Sequence, residues 1–368
     1  MDEAFRFSDT FGPSKVLHLH NPVVGLKAIV VVDNTAAGPA IGGTRMAPDV
    51  TLEECFRLAR AMTLKNAAAG LPHGGAKSVI IADPAMPSND KERLVRAFAD
   101  AIRDVVGYIP GPDMGTDETA MAWIKDETGR AVGLPREIGG IPLDEIGATG
   151  WGLAAAAEVA QEYGGFGLAG ARVVVQGFGA VGRHAARFLA QKGAVLVAAS
   201  DSRGGIVAPD GLDIEALVEH KAGGHPVSSF AQGRAITPEE IVGVPCEIWI
   251  PAARPDVVTR DNVGRLDCKL FLQGANIPAT PQAEHMMRER GIVSVPDFIA
   301  NAGGVICASV EYHGGSQSAA FAAIEEKVRF NTEAVLASAR DDSIEPRAAA
   351  NRLASDRVER AMALRRWG

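Results

Sequence analysis

The sequence predicts an α/β protein of two domains with a helical C-terminal tail. Three observations lead there. The chain has 368 residues, more than a single hydrophobic core usually serves. From Trp151 onward, short apolar strands alternate with helical stretches, the pattern of a parallel sheet covered on both faces. Within that region Gly177-Phe-Gly179-Ala-Val-Gly182 follows directly on a strand and opens a helix.

Composition narrows the class. Apolar residues make up 47% and charged residues 22%, an ordinary globular balance. The net charge of −8 argues against a broad nucleic-acid footprint. No run approaches the roughly 18 apolar residues of a membrane span. The first six residues, Met1-Asp-Glu-Ala-Phe-Arg6, are acidic and lack the apolar core of a signal peptide. Cys55, Cys246, Cys268 and Cys307 are scattered without CxxC spacing, so a disulfide framework or zinc site is not expected and a reducing cytoplasm fits. The eight histidines show no metal-ligand spacing, so no metal is expected.

In chain order, Leu26–Val32 reads as a buried strand ended by turn chemistry at Asp33-Asn34. Thr51 and Glu54 have capping-box spacing, so a helix is expected from Thr51, with its stop at Gly70. Leu58, Met62 and Lys65 recur at i, i+4, i+7, which places Lys65 on that helix's apolar stripe. An isolated lysine there is more often one that snorkels to water. The second region begins with an alanine-rich helix, Leu153–Tyr163, and a strand, Arg172–Gln176. A helix over Val181–Lys192 and a strand over Ala194–Ser200 follow the glycine turn. Later strands are Glu247–Ile250, Leu270–Leu272 and Ile292–Val295, and a helix opens at Thr280-Pro281 and ends at Gly291. From about Ser318 to Arg366 the tail reads as helical.

The glycine turn carries the first chemistry. Gly177 permits a tight turn, Gly179 lets backbone approach a pyrophosphate, and Gly182 lets helix pack on strand. The helix N-terminus offers free N–H groups to phosphate. Asp201 ends the next strand, 19 residues beyond Gly182, where a carboxylate accepts hydrogen bonds from an adenosine ribose. The bland alternative is an α/β turn without a ligand. The complete strand–turn–helix–acid context favours a Rossmann dinucleotide-binding domain.

Lys65, Lys77 and Asp113 form a second set. Lys77 follows a Gly-Gly turn, and Asp113 sits in Gly111-Pro-Asp-Met-Gly115, both places where backbone can approach a substrate. Oxidation of an amino acid needs a cation for its carboxylate, a base for its amine and the attacking water, and a proton carrier for the leaving ammonia. A lysine serves as base when burial and a nearby cation lower its pKa. Two lysines and one aspartate can supply these roles. Spacing alone leaves open that these are two surface lysines and an unrelated turn aspartate.

With these residues noted, the chain resembles the glutamate/leucine/phenylalanine/valine dehydrogenase family along almost its whole length. The resemblance rests on Gly38-Pro-Ala-Ile-Gly-Gly-Thr-Arg-Met46, Met62-Thr-Leu-Lys-Asn-Ala-Ala-Ala-Gly70, Gly74-Gly-Ala-Lys77 and Gly111-Pro-Asp-Met-Gly-Thr116. It continues through Ala148-Thr-Gly150, the glycine turn, Gly274-Ala-Asn276 and Pro296-Asp-Phe-Ile-Ala-Asn-Ala-Gly-Gly304. It implies an N-terminal substrate domain (1–145), a Rossmann domain (146–300) and C-terminal helices returning to the substrate domain (301–368). Lys77 and Asp113 would be the catalytic pair and Lys65 the carboxylate anchor. The substrate site would include Gly43, Ile41, Gly111, Asn276, Asn301, Val305 and Ala308. The cofactor site would include Thr149, Gly177, Phe178, Gly179, Ala180, Val181, Gly182, Asp201, Ser202, Ala252, Ala253, Asn276 and Asn301. Hydride would pass to the nicotinamide in a cleft between the domains of a cytoplasmic homo-oligomer. Asp201 favours NAD, whereas Arg203, two residues on, would favour NADP.

Departures from the family bear on substrate. The glutamate enzymes carry a lysine where this chain has Ile41 and a serine where it has Ala308, so both handles for a side-chain carboxylate are missing. Gly111 and Ala308 are small, as in the phenylalanine enzymes. His73 stands where the family usually has an apolar residue, and is read as structural rather than substrate-touching. By contrast, Ala199-Ser-Asp-Ser-Arg-Gly-Gly205 and Ile250-Pro-Ala-Ala253 look more like the glutamate enzymes. The expected activity is reversible oxidative deamination of an apolar L-amino acid to a 2-oxo acid and ammonia. The rivals are a glutamate dehydrogenase with a rearranged side-chain site and a catalytically silent nucleotide-binding regulator.

Overall fold

The computed structural model describes residues 5–366, so Met1–Ala4 of the acidic N-terminal stretch lie outside the described residues. Two compact units emerge. The first comprises the chain up to Leu143, Val305–Ala320 and the residues from Asn351 on; the second comprises Asp144–Gly304 and Phe321–Ala350. The tail expected as a single return over 301–368 is thus divided between the units.

The first unit holds β1 (Lys15–Asn21), β2 (Leu26–Asn34), β3 (Ala40–Ala47), α1 (Leu52–Ala68), β4 (Gly75–Ile81), α2 (Ser88–Ala101), β5 (Tyr108–Pro112) and α3 (Glu118–Thr128). Its sheet has the order β1-β2-β4-β3-β5. β1, β2 and β4 pair antiparallel, whereas β3 lies parallel to β4 and β5. One core packs Leu26, Val30 and Ile80 against Val95 and Phe98 of α2; another packs Val31 and Val79 against Cys55 and Ala59 of α1.

Two expectations for this unit change. Asp33 and Asn34 are not turn residues beyond the strand; they are the last two residues of β2, and both are buried. The Asp33 carboxylate accepts from Arg60 Nε at 2.8 Å and Thr63 Oγ1 at 2.6 Å, which repays its desolvation. On α1, Thr51 accepts from Glu54 N at 3.2 Å as expected of an N-cap. The buried stripe, however, is Cys55, Ala59, Thr63, Asn66 and Ala67. Leu58, Met62 and Lys65 are half-buried beside it. The Thr63 hydroxyl bonds Asp33 and the Asn66 Nδ2 donates to the Gly74 carbonyl, which offsets part of the cost of burying them.

The second unit holds α4 (Leu143–Ile146), α5 (Ala148–Tyr163), β6 (Arg172–Gln176), α6 (Ala180–Ala190), β7 (Val195–Asp201), β8 (Gly204–Val207), α7 (Ile214–Ala222) and β9 (Arg234–Ile236). β10 (Ile248–Pro251), β11 (Leu270–Leu272), α8 (Pro281–Glu289), β12 (Val293–Val295) and α9 (Asp297–Ala300) follow. Three further helices complete the chain: α10 (Gly303–Tyr312), α11 (Gln317–Asp341) and α12 (Pro346–Ala363). The seven-stranded sheet runs β12-β11-β10-β6-β7-β8-β9. Its first five strands are mutually parallel, as the alternating pattern requires. The antiparallel β8 and β9 were not anticipated. Helix α5 also starts five residues earlier than its alanine run, after Gly147 in the left-handed region at φ 75°; a Cβ there would meet the His184 ring at 2.4 Å. Among the described residues no helix is long and apolar enough to cross a membrane.

Candidate active site

Lys77 is the third residue of β4, opposite Val31 of β2, and only 4% exposed. Asp113 follows β5 directly. Its backbone N–H donates to Thr116 Oγ1 at 3.0 Å, and that hydroxyl donates to Thr44 O at 2.7 Å. The turn is thereby tied to β3, and the Asp113 carboxylate meets the Lys77 ammonium in a buried ion pair. Gly43 lies beside them: a Cβ there would sit 2.7 Å from Asp113 Oδ2 and 3.0 Å from Lys77 Nζ. Glycine at this position leaves the pair its space.

Arg45, on β3, is the residue that sequence reasoning missed. Its Nε donates to Asp113 Oδ1 at 3.1 Å, and its Nη1 to Glu54 Oε1. Glu54 therefore does not reciprocate the cap of Thr51; it turns to Arg45. The signal lay within the Gly-Gly-Thr-Arg segment, where Arg45 stands two residues after Gly43 and projects to the same sheet face.

Charges decide the protonation states. Burial pushes the Lys77 ammonium pKa below its ordinary value; Asp113 opposes this, and Arg45 adds to it. Arg45 is thus a cation that lowers the Lys77 pKa, one the sequence did not point to. Burial alone would raise the Asp113 carboxyl, but Lys77, Arg45 and the Met114 N–H carry it below the ordinary range. Arg45 is held cationic against its own burial by Asp113 and Glu54. A lysine eased toward neutrality beside a firmly anionic aspartate is suited to proton transfer. Lys65 is half-buried in the last turn of α1.

Ile41 and Ala308 come together with Ile109 and Val132 in one buried hydrocarbon cluster. Gly111 adjoins it, since a Cβ there would lie 3.2 Å from Val132 Cγ2. The room expected at Gly111 is therefore bounded by Val132. Val305 is half-buried in the first turn of α10. His73 is 1% exposed, its Nδ1 donates to Pro39 O at 3.0 Å, and its ring packs on Tyr312 and His313. Burial lowers its pKa, and among the described residues its buried Nε2 has no hydrogen-bond partner.

In the second unit the glycine turn has the form a pyrophosphate needs. Gly177 has φ +100°, and a Cβ there would lie 2.7 Å from Ala253 Cβ; one on Gly182 would lie 2.1 Å from Gly177 O. At Gly179 a Cβ would meet nothing within 4 Å, so backbone faces open space at the N-cap of α6. No side chain caps that helix, which leaves the first-turn N–H groups of Ala180 and Val181 to a phosphate. Phe178 is buried, its N–H bonded to Ser200 O at 2.8 Å. Ala252 N–H donates to Gln176 O at 2.7 Å. Thr149 is half-buried on α5, and Ser202 is exposed after Asp201. Asn301 is buried and its Nδ2 donates to Asn276 Oδ1 at 3.0 Å. Among the described residues no group of three or more His, Cys, Asp or Glu side chains could hold a metal.

A parallel sheet with an uncapped glycine turn, and a buried lysine–aspartate pair, define the class: a nicotinamide-dependent oxidoreductase. The chain belongs to the glutamate/leucine/phenylalanine/valine dehydrogenase family. The family model of that description matches residues 139–366, and that of the Glu/Leu/Phe/Val dehydrogenase dimerisation domain matches residues 13–130. Glutamate dehydrogenase of Aeropyrum pernix is 39% identical over 357 residues, covering 91% of this chain and 85% of the relative. The NADP(+)-dependent glutamate dehydrogenase of Pyrobaculum calidifontis is 38% identical over 365 residues, covering 92% and 86%. Among solved structures, the hetero-hexameric glutamate dehydrogenase of Thermus thermophilus, in its leucine-bound form, is similar with TM-score 0.84 at 33% identity, covering 96% of this chain and 90% of that one. L-tryptophan dehydrogenase of Nostoc punctiforme gives 0.76 at 26%, covering 96% and 97%. The chain is accordingly an enzyme of NAD(P)-linked oxidative deamination of amino acids.

Proposed function

We propose that the substrate is an apolar L-amino acid. The carrying observation is the cluster of Ile41, Ile109, Val132 and Ala308. Two of its members, Ile41 and Ala308, stand where the family resemblance puts the handles for a side-chain carboxylate. A charged side chain facing this hydrocarbon would stay desolvated without a partner, at several kcal/mol. In this reading Lys65 binds the substrate α-carboxylate. Lys77 Nζ takes a proton from the substrate amine and then from the water that attacks the imine carbon. Asp113 passes protons to the departing ammonia, while Arg45 fixes the orientation of its carboxylate. Bound NAD(P) supplies the hydride acceptor. The phosphates would lie on the Gly177–Gly182 turn, the ribose at Asp201, and the nicotinamide near Thr149, Asn276 and Asn301.

Glutamate is the second reading, favoured by the names of the relatives at 38–39% identity. An initial-rate panel of L-amino acids, each with NAD and NADP, decides between them. A silent regulator is disfavoured by the assembled Lys77–Asp113 pair, and any substrate-dependent NADH formation excludes it. The match of the first unit to a dimerisation domain and the hexameric Thermus relative support an oligomer, to be read by light scattering.

A further inference from the structure

Val132, one wall of the hydrocarbon cluster, lies in neither helix nor strand. Residues 129–141, which follow α3, contain one 3-10 turn at Arg136–Ile138. Backbone N–H groups in such a segment need partners that no ladder supplies. Val132 N donates to Pro110 O at 2.9 Å, beside Gly111. Gly133, Leu134 and Ile141 find theirs in a single side chain. Glu311 of α10 is buried, and it accepts from Leu134 N at 3.2 Å through Oε1 and from Ile141 N at 2.7 Å through Oε2. The Gly133 N–H is directed at the same carboxyl group. Burial raises the Glu311 pKa, and these three N–H groups oppose the rise.

Glu311 stands three residues after Ala308 on α10, so the two share a helix face. Ala308 is another wall of the cluster. One helix therefore presents a wall and, a turn further on, the carboxyl group that holds the segment carrying Val132. The fit is close: Gly133 has φ +70°, and a Cβ there would lie 2.5 Å from Pro112 Cδ, next to Asp113.

We propose that Glu311 is a positioning residue for side-chain selectivity: by binding the Gly133, Leu134 and Ile141 amides it fixes Val132 relative to Ala308 and limits how long a substrate side chain the pocket accepts. Glu311 acts through Val132 and not on the reacting atoms. The proposal rests on the reading of the Ile41, Ile109, Val132 and Ala308 cluster as the side-chain pocket, and not on whether an apolar amino acid or glutamate is preferred. A carboxamide in place of the carboxylate accepts through one atom and donates through the other. It must release one or more of the backbone amides, and the segment carrying Val132 is then free to move outward.

The test compares kcat/KM of the intact enzyme for L-norleucine with that for the shorter L-2-aminobutyrate. A single methylene in a hydrophobic pocket is worth about tenfold or more in discrimination, so this ratio reads the depth of the pocket. In Glu311→Gln the ratio of the longer to the shorter substrate should rise at least about fivefold over wild type. A general loss of structure would lower both values and leave their ratio. Val132→Ala should raise the ratio as well, and in that background Glu311→Gln should change it by less than about twofold, because the wall that Glu311 positions is gone. Thermal melting reports whether Glu311→Gln folds. If it does not, hydrogen exchange on the unmodified enzyme carries the test: peptides spanning 132–141 should exchange as slowly as those of α10 despite their irregular backbone. An unchanged ratio in folded Glu311→Gln, an undiminished effect in the Val132→Ala background, or fast exchange over 132–141 overturns the role of Glu311. If Val132→Ala itself leaves the ratio unmoved, the pocket reading fails and the proposal with it, whereas glutamate as the best substrate overturns the apolar class alone.

Discussion

Arg45 and Lys77 divide the Asp113 carboxylate between them: Arg45 Nε donates to Oδ1 at 3.1 Å, and Lys77 pairs with Oδ2. The two cations therefore act on each other through one anion. Replacing Arg45 removes a positive charge that lowers the Lys77 pKa and leaves Asp113 to stabilise the Lys77 ammonium alone. Both effects raise the Lys77 pKa. For Arg45→Met, the rise of kcat/KM with pH should move to higher pH, and kcat should fall about tenfold as the carboxylate loses its orientation. A pH–rate profile with an unmoved limb, or one displaced to lower pH, would contradict this arrangement.

Removing either member of the pair should affect chemistry and not cofactor binding. Lys77→Ala and Asp113→Asn should each lower kcat by about 10² to 10⁴. In Asp113→Asn the buried lysine also loses its counter-ion, so its ammonium form is disfavoured further. The glycine turn belongs to the other unit, so NADH affinity by fluorescence quenching should stay within about threefold of wild type, a shift under 1 kcal/mol. Near wild-type turnover in either variant would remove its assigned role.

Substrate preference should follow the hydrocarbon cluster. An apolar L-amino acid should exceed glutamate in kcat/KM by about a hundredfold or more, the factor for a few kcal/mol. The pair Ile41→Lys with Ala308→Ser should raise activity on glutamate and depress the apolar activity. Val132→Ala, which opens the wall beside Gly111, should shift the preference toward larger side chains. Glutamate as the best substrate of the unmodified enzyme would refute the proposal.

The second unit's parallel sheet was legible because its signals are local: a strand, three glycines at fixed spacing, and a helix, all within residues 172–190. The first unit's sheet was less legible. The parallel partner of Lys77's strand, β3, contains Gly42, Gly43 and Arg45, which carry no strand signal because the glycines serve close approach; a Cβ on Gly42 would lie 1.7 Å from Ala76 O. Arg45 and Glu54 were hidden for a related reason. Glu54 carries a capping-box signature that its ion pair overrides, and that pair depends on a tertiary contact. Ile109 and Val132 gave no sign of meeting Ile41 and Ala308, because the cluster joins four distant stretches of chain.

Cofactor choice turns on a partner of Asp201 that sequence spacing does not show. A bare carboxylate at the ribose would repel the 2′-phosphate of NADP. Here Asp201 Oδ2 pairs with Lys221 and accepts from Val227 N at 3.1 Å, and its Oδ1 accepts from Arg203 N at 2.9 Å. Although burial acts to raise it, Lys221 and these backbone donors hold the Asp201 carboxyl below its ordinary pKa. Asp201 is thus anionic, but its charge is matched. The Arg203 side chain donates to Gly224 O at 3.1 Å and, among the described residues, makes no ion pair with Asp201. An aspartate matched by Lys221 tolerates a phosphate better than a bare one. Lys221→Ala should therefore unmask the carboxylate and lower kcat/KM with NADP by at least about tenfold, the scale of one charge-assisted hydrogen bond. With NAD, whose ribose hydroxyls need only the acceptor, kcat/KM should change by less than about threefold, under 1 kcal/mol in the barrier. Asp201→Ala should move the ratio the other way, toward NADP. Initial rates with both cofactors at a fixed amino acid concentration read these ratios directly, and an equal loss for NAD and NADP in Lys221→Ala would show that Lys221 has no part in the choice.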